Sequence, residues 1–164
     1  MLEFNIRNQS INRIDRFSPA EKSVNYLIAK FNFLTDEWNG ADKTAVFQNK
    51  NGKNIIDMLL DNDMCVVPWE VVDKNGKVTV SVYGTVDGRR ITTDTAEFKI
   101  NPTIYGGSAT QEPTPDIYQQ ILERINELEV GGGGGSTTVT GYLPTVEGTT
   151  LVFNEIVDGN EVSY

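Results

Sequence analysis

The stretch "KVTVSVYGT", residues 77–85, decides the fold. Val78, Val80 and Val82 fall on one face of an extended chain, and Thr79, Ser81 and Tyr83 fall on the other. Side chains alternate across a strand, so this period of two predicts a strand with one apolar face buried and one polar face wet. Working outward, the same phase recurs. "NYLIAKFNFL" sends Leu27, Ala29, Phe31 and Phe33 one way, "CVVPWEVV" sends Cys65, Val67, Trp69 and Val71, and "TAEFKI" sends Ala96, Phe98 and Ile100. These are the predicted core. Pro68 has no N–H to give a sheet, so its strand is expected at an edge or at a bulge.

The strands are punctuated by Asn39-Gly40, Asn51-Gly52, Asn75-Gly76 and Asp87-Gly88, with the polar cluster Asp61-Asn62-Asp63 filling the widest gap. Such pairs tolerate the positive φ of tight hairpin turns, so each marks a candidate hairpin. The segments between them predict seven strands, at 2–14, 23–35, 42–49, 53–60, 64–72, 77–86 and 89–100. That number in so short a span predicts a mainly β, seven-stranded antiparallel Ig-like β-sandwich over residues 1–101, without the Cys…Trp…Cys signature of true immunoglobulins.

Composition narrows the chemistry. The formal net charge is −9 and no cationic cluster exceeds Arg89-Arg90, which argues against a nucleic-acid backbone as partner. Histidine is absent and Cys65 stands alone, so no Ser-His-Asp triad, Cys-His dyad or common zinc ligand set can be assembled from this chain. A lone cysteine reads as a small buried hydrophobe in a protein folded in a reducing cytoplasm. The opening "MLEFNIRNQS" lacks a signal-peptide profile, and no apolar run approaches the ~20 residues that span a bilayer, so no membrane insertion is expected.

Asp57, Asp61 and Asp63 crowd together, but their spacing does not match a calcium loop, and "DKNGK" at 73–77 is explained by a turn. No carboxylate pair stands out from the dispersed acidic background as a hydrolase would need. The expectation is a non-enzymatic binding or structural protein with no cofactor and no metal. Trp69 has the core phase of its strand. Trp38, beside Asn39-Gly40, either caps the end of the sandwich or presents its indole to a ligand or partner, such as cell-surface carbohydrate.

After Ile100 the pattern changes. Residues 102–113 are rich in Pro, Gly, Ser and Thr and read as a linker. A helix is predicted over 114–130, with Thr114 as N-cap, Pro115 in the first turn and Asp116 at the positive end of the helix dipole. Tyr118, Ile121, Ile125 and Leu128 follow the 3-4-3 spacing of a coiled-coil seam, which Ile117 and Leu122 widen. Isolated helices below ~12–15 residues are marginal in water, so the stripe needs a partner: sister copies in a parallel bundle, a homotrimer by its Ile-rich seam, or else its own sandwich or a neighbouring protein. Gly131 to Ser136 read as a flexible spacer, and 137–164 as a small β tail with a turn at Asp158-Gly159.

One resemblance adds to this. "FNIRNQSINRIDRFSPAEKSVNYLIAKFNFLTDEWNGADKTAVFQN", "CVVPWEVV", "VSVYGT", "RRITTDTAEFKI" and "PTPDIYQQILERINELE" resemble, in order, the N-terminal domain of baseplate upper proteins and related minor structural proteins of phages infecting Gram-positive bacteria. The likeness spans residues 4 to about 129, and its most specific parts are "DEWNG", "VPWEV" and "PTPDIYQQILERI". It implies a sandwich that attaches to the virion, other phage structural proteins of baseplate, tail or capsid as partners, and a helix that gathers copies and carries fibre parts outward. The longer members have a receptor-binding domain beyond this point. Its absence before Tyr164 makes a head fibre or capsid decoration protein, with host cell-surface carbohydrate as a further contact, the alternative expectation.

Overall fold

The computed structural model describes residues 1–52, 54–107, 111–131, 141–147, 150–157 and 160–162. They form two compact units, Met1–Ile125 and Asn126–Tyr164. The chain is mainly β.

In the first unit, β1 (Leu2–Arg7), β2 (Ser10–Arg13), β3 (Ile28–Phe33) and β6 (Met64–Val66) make a four-stranded sheet in the order β2-β1-β3-β6. A second sheet runs β5 (Ile55–Leu59), β4 (Asp42–Asn49), β7 (Gly76–Val86), β8 (Arg89–Thr92), with β9 (Ala96–Ile100) sharing the β8 edge of β7. β7 spans eleven residues, long enough to serve both partners on that edge. Its Val78, Val80 and Val82 are buried, as their period requires, and Phe47 stands opposite Val80. Leu2, Phe4, Ile6 and Phe31 from the first sheet join Phe47, Val80 and Phe98 from the second in one hydrophobic cluster. Phe4 and Phe31 stack with centroids 5.2 Å apart. Each such side chain contributes about 1.5–3 kcal/mol on burial, so the shared core holds the two sheets together.

The expected seven antiparallel strands differ from the nine among the described residues of the first unit, and in each case a local cause is visible. The first segment folds back at Asn8, whose φ is 52°, into a β1–β2 hairpin. β3 then returns parallel to β1, with Leu2 opposite Ala29 and Ile6 opposite Phe33. The antiparallel expectation fails at this pair because the hairpin reverses the chain once and residues 14–27 reverse it again, bringing β3 onto the other side of β1 in the direction of β1. Asp15 anchors its start: its carboxylate accepts the N–H groups of Glu3 (2.8 Å) and Phe17 (2.7 Å) and pairs with Arg13 (2.6 Å).

The segment 89–100 breaks at Thr93-Asp94, where Asp94 turns to the other sheet, giving its N–H to the Gln9 carbonyl (2.7 Å) and accepting the Ile11 N–H (2.7 Å). In 64–72 the strand stops after Val66, and Pro68 caps a helical turn, α1 (Trp69–Val72). Proline cannot continue the ladder but suits a helix start, and the expected edge position holds, since β6 borders its sheet.

Of the four Asn-Gly and Asp-Gly pairs, Asp87-Gly88 makes the two-residue hairpin, with φ of 49° and 73° joining β7 to β8. Asn62-Asp63, both left-handed, make the tight turn that carries the chain from β5 in one sheet to β6 in the other. Asn49 is buried and fully used: its Nδ2 donates to the Val71 and Lys74 carbonyls (both 2.8 Å), and its Oδ1 accepts the Asn51 N–H (2.9 Å).

α2 spans Ile117–Gly131, beginning in the first unit and ending in the second. The second unit carries an antiparallel three-stranded sheet, β10 (Gly141–Glu147), β11 (Thr150–Val157) and β12 (Asn160–Val162), in that order. The Asp158-Gly159 turn and the spacer residues 132–136 lie outside the described residues.

Candidate functional site

The boundary expected near residue 101 is displaced, because the chain beyond it stays on the first unit. Asn101 exchanges backbone bonds with Pro19 (2.8 Å) and Glu21 (2.9 Å), and Thr103 donates to the Glu21 carboxylate (3.0 Å). Further on, the Glu112 carbonyl accepts the Trp69 indole N–H (3.0 Å). Trp69 therefore departs from its core expectation: α1 replaces the strand that set its phase, and the side chain sits half-buried under the linker. Glu70 takes both the N–H (2.6 Å) and the hydroxyl (2.8 Å) of Thr114.

With its hydroxyl engaged there, Thr114 is not the N-cap that the sequence suggested. Asp116 takes that role two residues later: its Oδ1 accepts the Gln119 N–H (2.9 Å) and its carbonyl the Gln120 N–H (3.0 Å).

The first turns of α2 lie along β5. Gln120 Oε1 accepts the Leu59 N–H (2.9 Å), while its Nε2 donates to the Asp57 carbonyl (2.8 Å) and to that of Pro115 (2.8 Å). Four residues on, Arg124 donates to the Leu60 carbonyl (3.0 Å) and reaches Asp61 (3.5 Å). Ile117, Gln120 and Arg124 share one flank of the helix by the i, i+3, i+4 rule. At ~1 kcal/mol net per bond, these contacts hold this flank against the strand.

The expected seam is the neighbouring strip, and it faces outward: Tyr118 is 67% exposed, Ile121 41%, Ile125 46% and Leu128 73%, with Leu122 exposed beside them. Of the wider stripe, Ile117 lies half-buried beside Ile55 and Ile56 of β5, while polar Gln120 and Arg124 supply the hydrogen bonds to that edge. Sequence reading missed Gln120, Arg124 and Glu70, since their role depends on peptide groups of distant segments. The only local signal was an i, i+4 polar pair set beside an apolar strip.

Trp38 offers no indole face to a ligand, which corrects the contact expected there. It is 0% exposed, ends a 3-10 turn (Asp36–Trp38), donates its N–H to the Asn8 carbonyl (2.8 Å) and packs on Phe33 at 5.1 Å. Gly84 leaves the space for it: a Cβ there would lie 3.2 Å from the indole ring. The capping reading of Trp38 is thus the one the geometry supports. A cleft of about 510 Å³ nearby is bordered by Asp36, Glu37, Asn39, Arg89 and Arg90 and has no aromatic side chain in its described lining.

The three aspartates do not converge. Asp57 accepts the Tyr83 hydroxyl (3.1 Å), Asp61 faces Arg124 (3.5 Å) and Asp63 pairs with Lys43 (2.8 Å). Among the described residues no group of three acidic or cysteine side chains could hold a metal ion, and no helix is long and apolar enough to cross a membrane. Cys65 is buried, and burial pushes its thiol up to about 12, which leaves it unreactive at neutral pH. No protein-family model matches the sequence, and no curated protein matches it.

Proposed function

We propose that this chain is a non-enzymatic virion protein of a bacteriophage, built like the attachment domain of baseplate upper proteins. Its two sheets read as an Ig-like sandwich that docks on the particle. Tyr118, Ile121, Ile125 and Leu128 gather three copies into a short stalk that projects the second unit as a fibre or adaptor. The observation that carries the reading is the outward apolar stripe on a helix whose adjoining polar flank is already engaged. A stripe so placed loses hydration cost only against another chain, and a parallel bundle with isoleucine at the seam favours more than two strands. The ordered resemblance of residues 4 to about 129 supplies the virion context.

Light scattering across a range of concentrations tests the stalk. The expected mass is three times the 18.2 kDa chain, falling to one when Ile121 and Ile125 both become Asp. A strictly monomeric mass, unchanged by that double substitution, refutes it. Reconstruction of particles carrying the chain tests the attachment, and its position on tail or capsid identifies the partner protein; absence from purified particles overturns the virion reading.

A further inference from the structure

β5 is the border strand of the five-stranded sheet. The Leu60 N–H bonds to the Lys43 carbonyl (2.9 Å), and Met58 and Ile56 stand opposite Ala45 and Phe47. By the alternation of an antiparallel ladder, Ile56 and Met58 turn their peptide groups to β4, while Ile55, Asp57 and Leu59 turn theirs outward. Such a row is a template for another strand, and proteins usually blunt it with lysine, proline or a bulge. β5, "IIDML", has neither lysine nor proline, and its single charge is Asp57.

Gln120 does the blunting instead. A primary amide carries the same C=O and N–H pair as a peptide group, and Gln120 directs that pair at the Leu59 N–H and the Asp57 carbonyl, where the peptide groups of an added strand would otherwise bond. Arg124 on Leu60 and Thr114 on Glu70 pin the segment on either side. Ile55, 63% exposed, lies beyond this cover beside a groove of about 320 Å³ bordered by Ile56, Pro115 and Ile117.

We infer that residues 112–124 are a removable guard on this edge, and that β5 of a second copy pairs antiparallel with it when the guard lifts. A second copy fits because the strand is self-complementary. Centred on Met58, the pairing sets Asp57 against the second copy's Leu59, so no like charges oppose one another, and the outward peptide groups bond in pairs. This pairing is separate from the helix stripe and does not need it.

The test uses the full chain with Ile121→Asp and Ile125→Asp, so that stripe association is out of the readout, with and without Gln120→Ala and Arg124→Ala. At low concentration, hydrogen exchange at the Leu59 amide is expected to rise ~10-fold with the guard substitutions, while the Met58 amide, bonded into the sheet, stays slow. At high concentration the mass is expected to double and Leu59 protection to return. Unchanged Leu59 exchange overturns the guard, and faster exchange with a mass of one chain at every concentration overturns the pairing. If the fourfold variant fails to fold, Gln120→Ala alone in the otherwise unaltered chain gives the first reading from the same two amides.

Discussion

The inner face of β7 and the stripe of α2 are made of the same kind of residue and meet opposite fates. Val78, Val80 and Val82 are sealed between two sheets, whereas Ile121 and Ile125, no less apolar, keep close to half of their surface in water. A strand's neighbours come from its own chain, because sheet pairing brings whole rows of residues over it. A helix that spends its polar flank on the domain leaves its apolar strip only partly covered by the described residues. Apolar pattern therefore reports that burial is required, and only the surrounding packing reports whether this chain supplies it.

The largest expected effect tests that contrast directly. Phe47→Ala opens a cavity between the sheets and should cost ~3–5 kcal/mol in urea unfolding, while Ile121→Ala in dilute monomer should change stability by less than ~0.5 kcal/mol. Comparable losses from the two would break the comparison.

Gly84→Val is the next test, since it pushes a side chain into the Trp38 ring across only 3.2 Å. Overpacking there should cost ~1–3 kcal/mol, seen as a lower Tm with altered tryptophan fluorescence. A neutral result would mean that the Trp38 end of the core is loose.

Glu70→Ala removes the acceptor of both Thr114 bonds. It should cost ~1–2 kcal/mol and sharpen the comparison by loosening the linker and helix start while the sheets stay intact. Proteolysis between residues 103 and 116 should speed up with cleavage elsewhere unchanged, and no change in cleavage would show that the linker is held by other contacts.

The smallest effect is electrostatic. Burial raises the Asp15 pKa, but the Arg13 guanidinium and the Glu3 and Phe17 N–H groups outweigh it and bring the carboxyl from 3.8 down to about 2. A depressed folded pKa contributes stability that is complete above the unfolded value and is lost as pH falls through the folded one. Stability should therefore decline from about pH 4 toward 2 through this group, and Asp15→Asn should flatten that part of the pH profile. A profile with the same slope in both proteins would show that Asp15 does not anchor the crossover.

Much of the fold was legible from local pattern. The inward residues of β3, β7 and β9 were predicted from their period, with Phe33 reaching only the margin of the core. Asp87-Gly88 and the edge position of the strand before Pro68 were also readable, because φ preferences and missing donors act over two or three residues. Less of the candidate site was legible. The stripe was visible at its 3-4-3 spacing, but the sequence left Trp38 open between capping and contact and placed Trp69 in the core, where the structure leaves it half-buried. An indole's burial is set by what arrives over it: Gly84 and Asn8 for Trp38, a proline-started turn and the Glu112 carbonyl for Trp69.

By itself the amino-acid order determined a two-faced β domain without histidine chemistry, then a helix whose apolar strip demands cover, since alternation, turn propensity and composition are properties of neighbours along the chain. The parallel return of β3 beside β1, the burial of Trp38 and the seating of Gln120 on the peptide groups of Asp57 and Leu59 were decided only in three dimensions. Each joins segments tens of residues apart, and no local period records which distant strand presents its carbonyls and N–H groups at that place.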